Sequence, residues 1–251
     1  MVPKRAIVRP PSRSFSRCIS SHPLRNTASA KKAKGQHSAY CTTLGELGLE
    51  LLTMKAEDAY PDSCFVEDTA VVHNNKAIIA RMAAKSRQGE EDTVESLLGQ
   101  YIPVRRISEP GTLEGGDVIH LPDRLISGVS QRTNVEGVFQ MSDWLEVQVD
   151  AVRDPYIVHL KSHVTYLSGK TIVCRKSYAD HPALEGYELL IVDDNEAYAA
   201  NTLTIGNVVI MPAGFERTAE TVSEAGYEVI CLDVSEFEKC EGALTCLSIL
   251  F

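Results

Sequence analysis

Side chains able to do chemistry recur just before or within the first strand of each β-hairpin that this 251-residue sequence predicts. They are Glu67 and Asp68 in "FVEDTAVV", Glu114 and Asp117 in "LEGGDVIHL", His159 in "VHLKSHVTYL", Asn201 in "ANTLTI" and Cys246 in "LTCLSILF". A thiol needs a base or a cationic partner to act as a nucleophile, and an imidazole needs a carboxylate to orient it. At equivalent positions of a repeat, such a set predicts a cysteine-dependent catalytic site.

Each of these residues also has an ordinary structural explanation. Free cysteine is often a small buried apolar residue, so Cys246 alone indicates a core position. His159 alone indicates a hydrogen-bonded or surface histidine, and Asp68 alone a turn or capping residue. The shared register and the chemical complementarity of the set favour the catalytic interpretation.

The predicted hairpins form a repeat along the chain. Four stretches show a β-rich run, a short polar turn and a second β-rich run, namely "DTAVVHNNKAIIAR", "GDVIHLPDRLISG", "SHVTYLSGKTIVCR" and "NTLTIGNVVIMPAG". Their turns fall near Asn74, Pro122, Ser168 and Gly206, about 40 to 50 residues apart. A helix-like segment such as "TNVEGVFQMSDWLE" or "RTAETVSEAG" follows the first, second and fourth hairpins, and a short strand such as "YEVICLD" comes after it. The repeating unit is therefore predicted to be ββαβ.

The two chain ends supply a fifth unit. "KRAIVRPPSR" resembles a second hairpin strand and "TCLSILF" resembles a first one, so we expect the termini to pair. The predicted fold is one α/β domain, residues 1–251, a five-bladed ββαβ propeller with pseudo-five-fold symmetry and no exposed sheet edge, closed by pairing of the N- and C-terminal strands. In such a ring, equivalent positions converge on the axis.

Composition restricts the partners and the compartment. The net charge is -9, yet the first 45 residues contain nine Lys or Arg and no acid. This basic, Ser-rich start is compatible with a transit peptide, a nucleic-acid-binding arm or a solvated loop and strand, and the last interpretation is favoured because "RAIVR" fits the repeat. Apolar runs are too short for a membrane helix, which needs about 18 residues, so no membrane partner is expected. Because the basic start is interpreted as a loop and strand, no nucleic-acid partner is expected either. Seven cysteines without a C-x-x-C pair or a secretory segment predict free thiols and a cytoplasmic location.

Three motif-like patterns do not predict cofactors or metals. "SGKT" lacks the first glycine of a phosphate-binding loop, because Val164 occupies that position, and a strand is predicted to follow it. His159 and His163 have the spacing of a metal-binding pair, but no catalytic glutamate lies between them and no paired cysteines complete a zinc set. The glycines of "EPGTLEGGD" do not match a dinucleotide fingerprint. We expect neither a metal nor a cofactor.

Five longer stretches occur in the order and spacing of a known family. They are "YPDSCFVEDTAVV" (60–72), "EPGTLEGGDV" (109–118), "RTNVEG" (132–137), "HLK" (159–161) and "EGALTCLS" (241–248). Together they resemble the dimethylarginine dimethylaminohydrolase family, which belongs to the guanidine-modifying superfamily with the five-fold ββαβ propeller, or pentein, fold. The resemblance spans essentially the whole chain.

The resemblance implies a role for each matched residue. Cys246 matches the nucleophile, His159 the general acid/base and Glu114 the carboxylate that orients the histidine. The resemblance implies that Asp68, with Asp62 and Glu67 in the same acidic loop, contacts the substrate guanidinium. It implies that Asp62 also contacts the α-amino group and that Arg87 and Arg132 hold the α-carboxylate. Backbone groups near Cys18 and Cys240 are implied to make further contacts. The implied reaction converts Nω-methylated arginines to citrulline and methylamine or dimethylamine through a covalent thiouronium intermediate.

The chemistry of these side chains suits a guanidino amino acid as a small-molecule substrate. Carboxylates accept paired N–H bonds from a guanidinium, and arginines clamp a carboxylate.

Other guanidine enzymes remain alternatives: an arginine or agmatine deiminase or an amidinotransferase. The chain has no room for the added helical domain of known arginine deiminases, and Arg87 and Arg132 favour an α-amino acid over agmatine. A non-catalytic propeller that binds a partner is a further alternative, disfavoured because it would not need Cys, His and Glu in register. The protein is expected to be a monomer or a homodimer.

Overall fold

The computed structural model describes residues 3–251, which contain fifteen short strands and five α-helices. The strands are β1 Arg5–Val8, β2 Glu50–Thr53, β3 Ala70–His73, β4 Lys76–Ile79, β5 Val104–Arg106, β6 Val118–His120, β7 Leu125–Val129, β8 Val149–Arg153, β9 Val164–Ser168, β10 Thr171–Arg175, β11 Glu188–Val192, β12 Leu203–Ile205, β13 Val208–Pro212, β14 Glu228–Leu232 and β15 Ser248–Leu250. The α-helices are α1 Ala30–Glu46, α2 Glu91–Leu98, α3 Val135–Leu145, α4 Glu216–Glu224 and α5 Ser235–Glu238.

The strands form five three-stranded sheets that share one pattern. In each sheet the first two strands are antiparallel and the third runs parallel to the middle strand. Four sheets are consecutive in the chain: β3-β4-β5, β6-β7-β8, β9-β10-β11 and β12-β13-β14. The fifth is β15-β1-β2, in which Ala6 lies opposite Leu250 and Val8 opposite Ser248. The predicted hairpins and the predicted pairing of the two chain ends are confirmed.

The sequence of each middle strand explains why it is central. β1, β4, β7, β10 and β13 are almost completely buried. A strand buried on both faces needs a continuous apolar run, and "AIV", "AII" and "VVIM" supply it. The turn of the first hairpin is formed by Asn74 and Asn75 with φ of 47° and 58°. Asparagine tolerates this left-handed backbone, which a two-residue hairpin turn requires.

Four α-helices, α1 to α4, are crossovers from a middle strand to the third strand of a sheet, whereas α5 follows β14 and precedes β15. α3 begins after Asn134, whose side chain accepts a hydrogen bond from the Gly137 amide at 2.8 Å. This N-cap is visible in "TNVEG", and the helices predicted after the second and fourth hairpins are confirmed as α3 and α4. The prediction of a strand and solvated loop for the basic N-terminus is correct for β1 but misses α1, which begins within that region. Only Ala33, Tyr40 and Leu44 of its apolar residues are fully buried, so its helical periodicity is weak.

A 3₁₀ helix precedes the first strand of every sheet, with at most two residues between them. These helices are Val66–Thr69, Gly115–Asp117, Leu160–Ser162, Asp194–Ala200 and Thr245–Leu247. Each chemically active position predicted from the sequence lies within one of them or next to its first or last residue. The shared register of these positions is therefore confirmed.

None of the helices in residues 3–251 has both the length and the apolar character needed to cross a membrane.

Candidate active site

Three 3₁₀ helices bring His159 between two buried carboxylates. His159 Nε2 lies 2.8 Å from Glu114 Oε2 and 3.7 Å from Asp68 Oδ1. Glu114 is 0% exposed and Asp68 2% exposed. Glu114 and His159 each immediately precede their 3₁₀ helix, whereas Asp68 lies inside its own. The second carboxylate oxygen of Glu114 accepts the Ala83 amide at 3.2 Å, which fixes the plane in which Glu114 orients the imidazole.

The surrounding charges decide the protonation of His159. Burial alone would lower its pKa, but the negative charges of Asp68, Glu114 and Asp117 and the hydrogen bond to Glu114 outweigh burial and raise the pKa to about 9. His159 is therefore an imidazolium at neutral pH. The same arrangement lowers the pKa of Asp68: burial opposes ionisation, but the charges of His159 and Arg87 prevail.

One oxygen of Asp68 accepts no hydrogen bond from residues 3–251. Asp68 Oδ2 accepts a hydrogen bond from Arg87 Nη1 at 2.7 Å, but Oδ1 is buried without a hydrogen-bond partner among the described residues. Gly116 lies directly against this oxygen, because an added Cβ would be 2.8 Å from Asp68 Oδ1 and 2.7 Å from His159 Nδ1. A buried acceptor left unpaired costs about 1–3 kcal/mol, so this site favours a ligand that donates an N–H here.

Cys246 lies in the 3₁₀ helix Thr245–Leu247, immediately before β15. Its side chain is buried, and burial together with the negative charges of Asp68 and Glu67 raises the pKa of the thiol well above its ordinary value. Asp68 thus stabilises the charged form of His159 and opposes the charged form of Cys246. Without a substrate, the pair is a neutral thiol and a cationic imidazole.

A hydrogen-bonded chain positions the residue next to Cys246. Thr245 Oγ1 donates to Glu67 Oε2 at 2.7 Å, and Glu67 also forms an ion pair with Lys161. Asn201 accepts the Thr245 amide at 3.1 Å and donates to the Lys161 carbonyl at 3.1 Å. Glu67 is therefore tied to the nucleophile segment and to the segment after His159, and its pKa is raised by burial although Lys161 opposes the shift.

The two arginines matched by the sequence differ in environment. Arg87 is buried: its Nη1 lies 2.7 Å from Asp68 Oδ2 and its Nη2 2.8 Å from Glu90 Oε2, while Glu114 Oε2 is 3.8 Å from Nη1. Arg132 is half-buried, and its guanidinium forms no hydrogen bond or ion pair with residues 3–251. Arg132 therefore keeps all its side-chain donors for a ligand, whereas Arg87 is already held by two carboxylates.

Asp62 holds the N-terminal loop beside this cluster. Both of its carboxylate oxygens accept the Ile19 amide, at 3.1 and 3.2 Å. Burial raises the pKa of Asp62, opposed by Arg87, the Ile19 amide and Arg132. The structure thus brings Asp62, Asp68, Arg87, Glu114 and His159 into one connected cluster.

Known proteins match this chain over nearly its whole length. The family model described as "N,N dimethylarginine dimethylhydrolase, eukaryotic" matches residues 14–249. The N(G),N(G)-dimethylarginine dimethylaminohydrolase of Pseudomonas aeruginosa is 35% identical, with 99% of each chain covered. The enzyme of the same name from Streptomyces coelicolor is 37% identical, covering 99% of this chain and 97% of the relative. A crystal structure of the Pseudomonas aeruginosa enzyme, a cysteine-to-serine variant in complex with citrulline, superposes with a TM-score of 0.97 at 34% identity over 100% of both chains.

The chain belongs to the dimethylarginine dimethylaminohydrolase family. Membership of this family agrees with the resemblance carried by the five sequence stretches. It also accounts for the α/β fold with five similar three-stranded sheets.

One prediction about the cysteines is wrong for this member of the dimethylarginine dimethylaminohydrolase family. Cys18 and Cys240 form a disulfide, with their Cα atoms 5.8 Å apart, instead of remaining free thiols. The two residues are 222 positions apart in the chain, and their segments also meet through the hydrogen bond that Ser20 Oγ donates to the Lys239 carbonyl at 2.8 Å. Phe15, Phe65 and Phe237 pack edge to face beneath this connection, with ring centroids 5.5 to 6.4 Å apart. Cys41, Cys64, Cys174, Cys231 and Cys246 are free.

Sequence reasoning missed two partners of this dimethylarginine dimethylaminohydrolase-like site. Glu90 neutralises Arg87 from three residues away, and Lys161 neutralises Glu67. The signal for Glu90 was present in "SRQGE", because an acid three residues after an arginine can face it across one turn. Lys161 lies in the quoted motif "HLK" but had no apparent partner until the fold placed it beside Glu67.

Proposed function

We propose that the protein hydrolyses Nω-methylated arginines, asymmetric dimethylarginine and monomethylarginine, to citrulline and dimethylamine or methylamine. The observation that carries this proposal is the buried Asp68 Oδ1, which accepts no hydrogen bond from the described residues and lies beside His159 in a site that also contains Cys246. A carboxylate oxygen of this kind accepts an N–H of a guanidinium. The Pseudomonas aeruginosa and Streptomyces coelicolor relatives are named for the same reaction.

The ends of the substrate meet groups of opposite charge. Arg132, whose guanidinium donors are unused, binds the α-carboxylate. Arg87, which is ion-paired with both Asp68 and Glu90, contributes a second positive charge to this end of the site. Asp62 accepts from the α-amino group, beside backbone groups near Cys18 and Cys240. Asp68, assisted by the charge of Glu67, holds the guanidinium over Cys246. This distribution of charge requires both a guanidinium and an α-amino acid group.

The first half of the reaction forms a covalent adduct. The positive guanidinium offsets the negative field of Asp68 and Glu67, so the Cys246 thiol releases its proton to solvent, since His159 is already protonated, and the thiolate attacks the guanidinium carbon. His159, held as an imidazolium by Glu114, donates its proton to the methylated nitrogen. The carbon–nitrogen bond breaks, the alkylamine leaves, and an S-alkylthiouronium remains on Cys246.

The second half releases the product. His159, now neutral, accepts a proton from water, which attacks the thiouronium carbon. The carbon–sulfur bond breaks and Cys246 leaves as a thiolate. The proton that remains on the new hydroxyl group passes to Cys246, which restores the neutral thiol, and citrulline leaves. Glu114 keeps the imidazole oriented through both proton transfers.

We infer that the five sheets are the blades of a propeller with pseudo-five-fold symmetry. The common strand order and the 3₁₀ helix before each first strand support this arrangement. Monomer or homodimer remains our prediction for the assembly. A cytoplasmic location also remains a prediction, although the Cys18–Cys240 disulfide removes the free-thiol argument for it.

The test is a citrulline assay with asymmetric dimethylarginine, monomethylarginine, arginine and agmatine as substrates. We expect citrulline from the two methylated arginines, little product from agmatine, and loss of activity in Cys246→Ser and His159→Ala. Preference for unmethylated arginine would contradict the substrate assignment while retaining the mechanism. Citrulline formation by Cys246→Ser would contradict the mechanism itself.

A further inference from the structure

A cavity of about 300 Å³ lies outside the candidate active site, between the end of β8 and the end of β10. Its floor is apolar, formed by Val152, Ile157 and the ring of Tyr178, which belong to one hydrophobic cluster. Its remaining walls are polar and carry the side chains of Arg153, Asp154, His163, Arg175, Ser177 and His181. The proposed reaction uses none of these residues.

The hydrogen-bond partners of the two histidines fix where their protons lie. Arg175 Nη1 is 3.3 Å from His163 Nδ1, and because arginine only donates, His163 Nδ1 is an acceptor. His181 Nδ1 accepts the Ala183 amide at 3.1 Å. Burial and the charge of Arg175 lower the pKa of His163 to about 4, so its ring is neutral at pH 7. Both rings therefore carry an N–H on Nε2.

The arginines of the cavity retain unused donors. Arg175 Nε is buried and has no hydrogen-bond partner among the described residues, and Arg175 Nη2 is 3.7 Å from the exposed Asp194. Arg153 is exposed and forms no side-chain hydrogen bond or ion pair with residues 3–251. Arg153 and the partly exposed Nη2 group of Arg175 therefore leave N–H donors available to an acceptor on a ligand.

The carboxylate of the cavity, Asp154, in contrast already accepts hydrogen bonds from other groups of the protein. Asp154 accepts the Tyr178 hydroxyl at 2.7 Å and the Tyr156 amide at 3.0 Å. Because Asp194 lies 3.7 Å from Arg175, Arg153 is the one arginine of the cavity that has no carboxylate partner among the described residues. The cavity therefore offers donors and positive charge to a ligand, above an apolar floor.

We propose that this cavity binds a small organic anion. Its carboxylate or phosphate group is held by Arg175, His163 and His181, since a guanidinium and neutral imidazole N–H groups match anionic oxygens. Its apolar portion lies on Val152 and Ile157, and a volume of about 300 Å³ is at the lower end of the range for small-molecule sites. The proposal does not depend on the proposed hydrolase activity.

Titration calorimetry on the full chain tests it with inorganic phosphate, propylphosphonate and butyrate. We expect saturable binding, with propylphosphonate at least threefold tighter than inorganic phosphate because of the apolar floor. The comparison with butyrate tells a phosphate group from a carboxylate. Absence of saturable binding of every probe, or no gain from the propyl group, would overturn the proposal.

Four variants locate the binding. Arg175→Gln removes the central donor, and Ser177→Asp adds a negative charge at an exposed wall position; both are expected to weaken binding at least tenfold.

The matched control is Lys170→Gln, which removes an exposed cation at the other end of β10. Arg132→Gln removes the free arginine of the active site. Neither control is expected to change binding of the anion. Circular dichroism verifies folding, and Ser177→Asp decides the outcome if Arg175→Gln does not fold. Loss of binding in Arg132→Gln with Ser177→Asp unaffected would place the anion in the active site and refute the proposal.

Discussion

His159 Nε2 lies 2.8 Å from Glu114 Oε2, and Glu114 is completely buried. A buried carboxylate at this distance both orients the imidazole and keeps it protonated. Replacing Glu114 by Gln retains a hydrogen-bonding group of similar shape and removes the charge. We expect kcat to fall by a factor of about 100 or more, since a positioned acid or base contributes roughly 10²–10⁴-fold. We also expect the pKa of His159 to fall, as measured by nuclear magnetic resonance titration.

The control for this variant is Glu185→Gln, an exposed glutamate remote from the site. Equal kcat and an equal His159 titration in Glu114→Gln and Glu185→Gln would show that Glu114 does not govern the imidazole.

Gly116 provides the space in which His159 and Asp68 meet. A Cβ at this position would lie 2.7 Å from His159 Nδ1 and 2.8 Å from Asp68 Oδ1, closer than real Cβ contacts. Gly116→Ala is expected to move the imidazole and lower kcat about 100-fold, because small displacements of catalytic groups have effects of this size. Steady-state kinetics measure it. Gly35→Ala in α1, where a Cβ meets nothing within 4 Å, should leave kcat unchanged and raise the free energy of unfolding by up to about 1 kcal/mol.

The thiol of Cys246 is expected to ionise only when a cation enters the site. Burial and the charges of Asp68 and Glu67 raise its pKa in the free protein. An unreactive guanidino amino acid should lower that pKa, because its positive charge opposes the two carboxylates. The thiolate absorbance in the ultraviolet, taken as the difference between wild type and Cys246→Ser, follows the titration. An apparent pKa that is identical with and without the analogue would refute substrate-promoted ionisation.

The protonation of His159 also links stability to pH. Its pKa is about 9 in the folded protein, above the value of about 6.5 for an exposed histidine. The stabilisation from its charged form is therefore complete below about pH 6.5 and is lost as the pH rises through 9. Denaturant unfolding should show a larger loss of unfolding free energy between these pH values in wild type than in His159→Gln. Parallel pH profiles of the two proteins would contradict the shift.

The Cys18–Cys240 disulfide joins segments near the two ends of the chain. A cross-link across so long a loop restricts the unfolded chain, so its loss should reduce the free energy of unfolding by about 2–5 kcal/mol. Denaturant unfolding with and without a dithiol reductant measures this difference. The double variant Cys18→Ser with Cys240→Ser should match the reduced protein and be insensitive to the reductant. Equal stability of oxidised and reduced wild type would exclude a structural contribution.

The sequence by itself determined the strands, their turns and the register of the catalytic candidates. Two-residue turns such as Asn74–Asn75 and apolar runs such as "VVIM" are local signals, and local backbone preferences set them. His159, Glu114 and Cys246 could be related because a repeat makes distant positions equivalent. The same reasoning predicted the pairing of β1 with β15.

Only the tertiary structure decided which side chains pair across the units. The approach of Glu114 to Arg87, the ion pair between Glu67 and Lys161, and the Cys18–Cys240 disulfide all depend on the approach of segments from different sheets or ends of the chain. α1 escaped prediction because its buried face is completed by packing and carries few apolar residues. Periodicity reports which residues share a face or a register, whereas pKa values and ion pairs depend on distances of a few ångströms that packing alone sets.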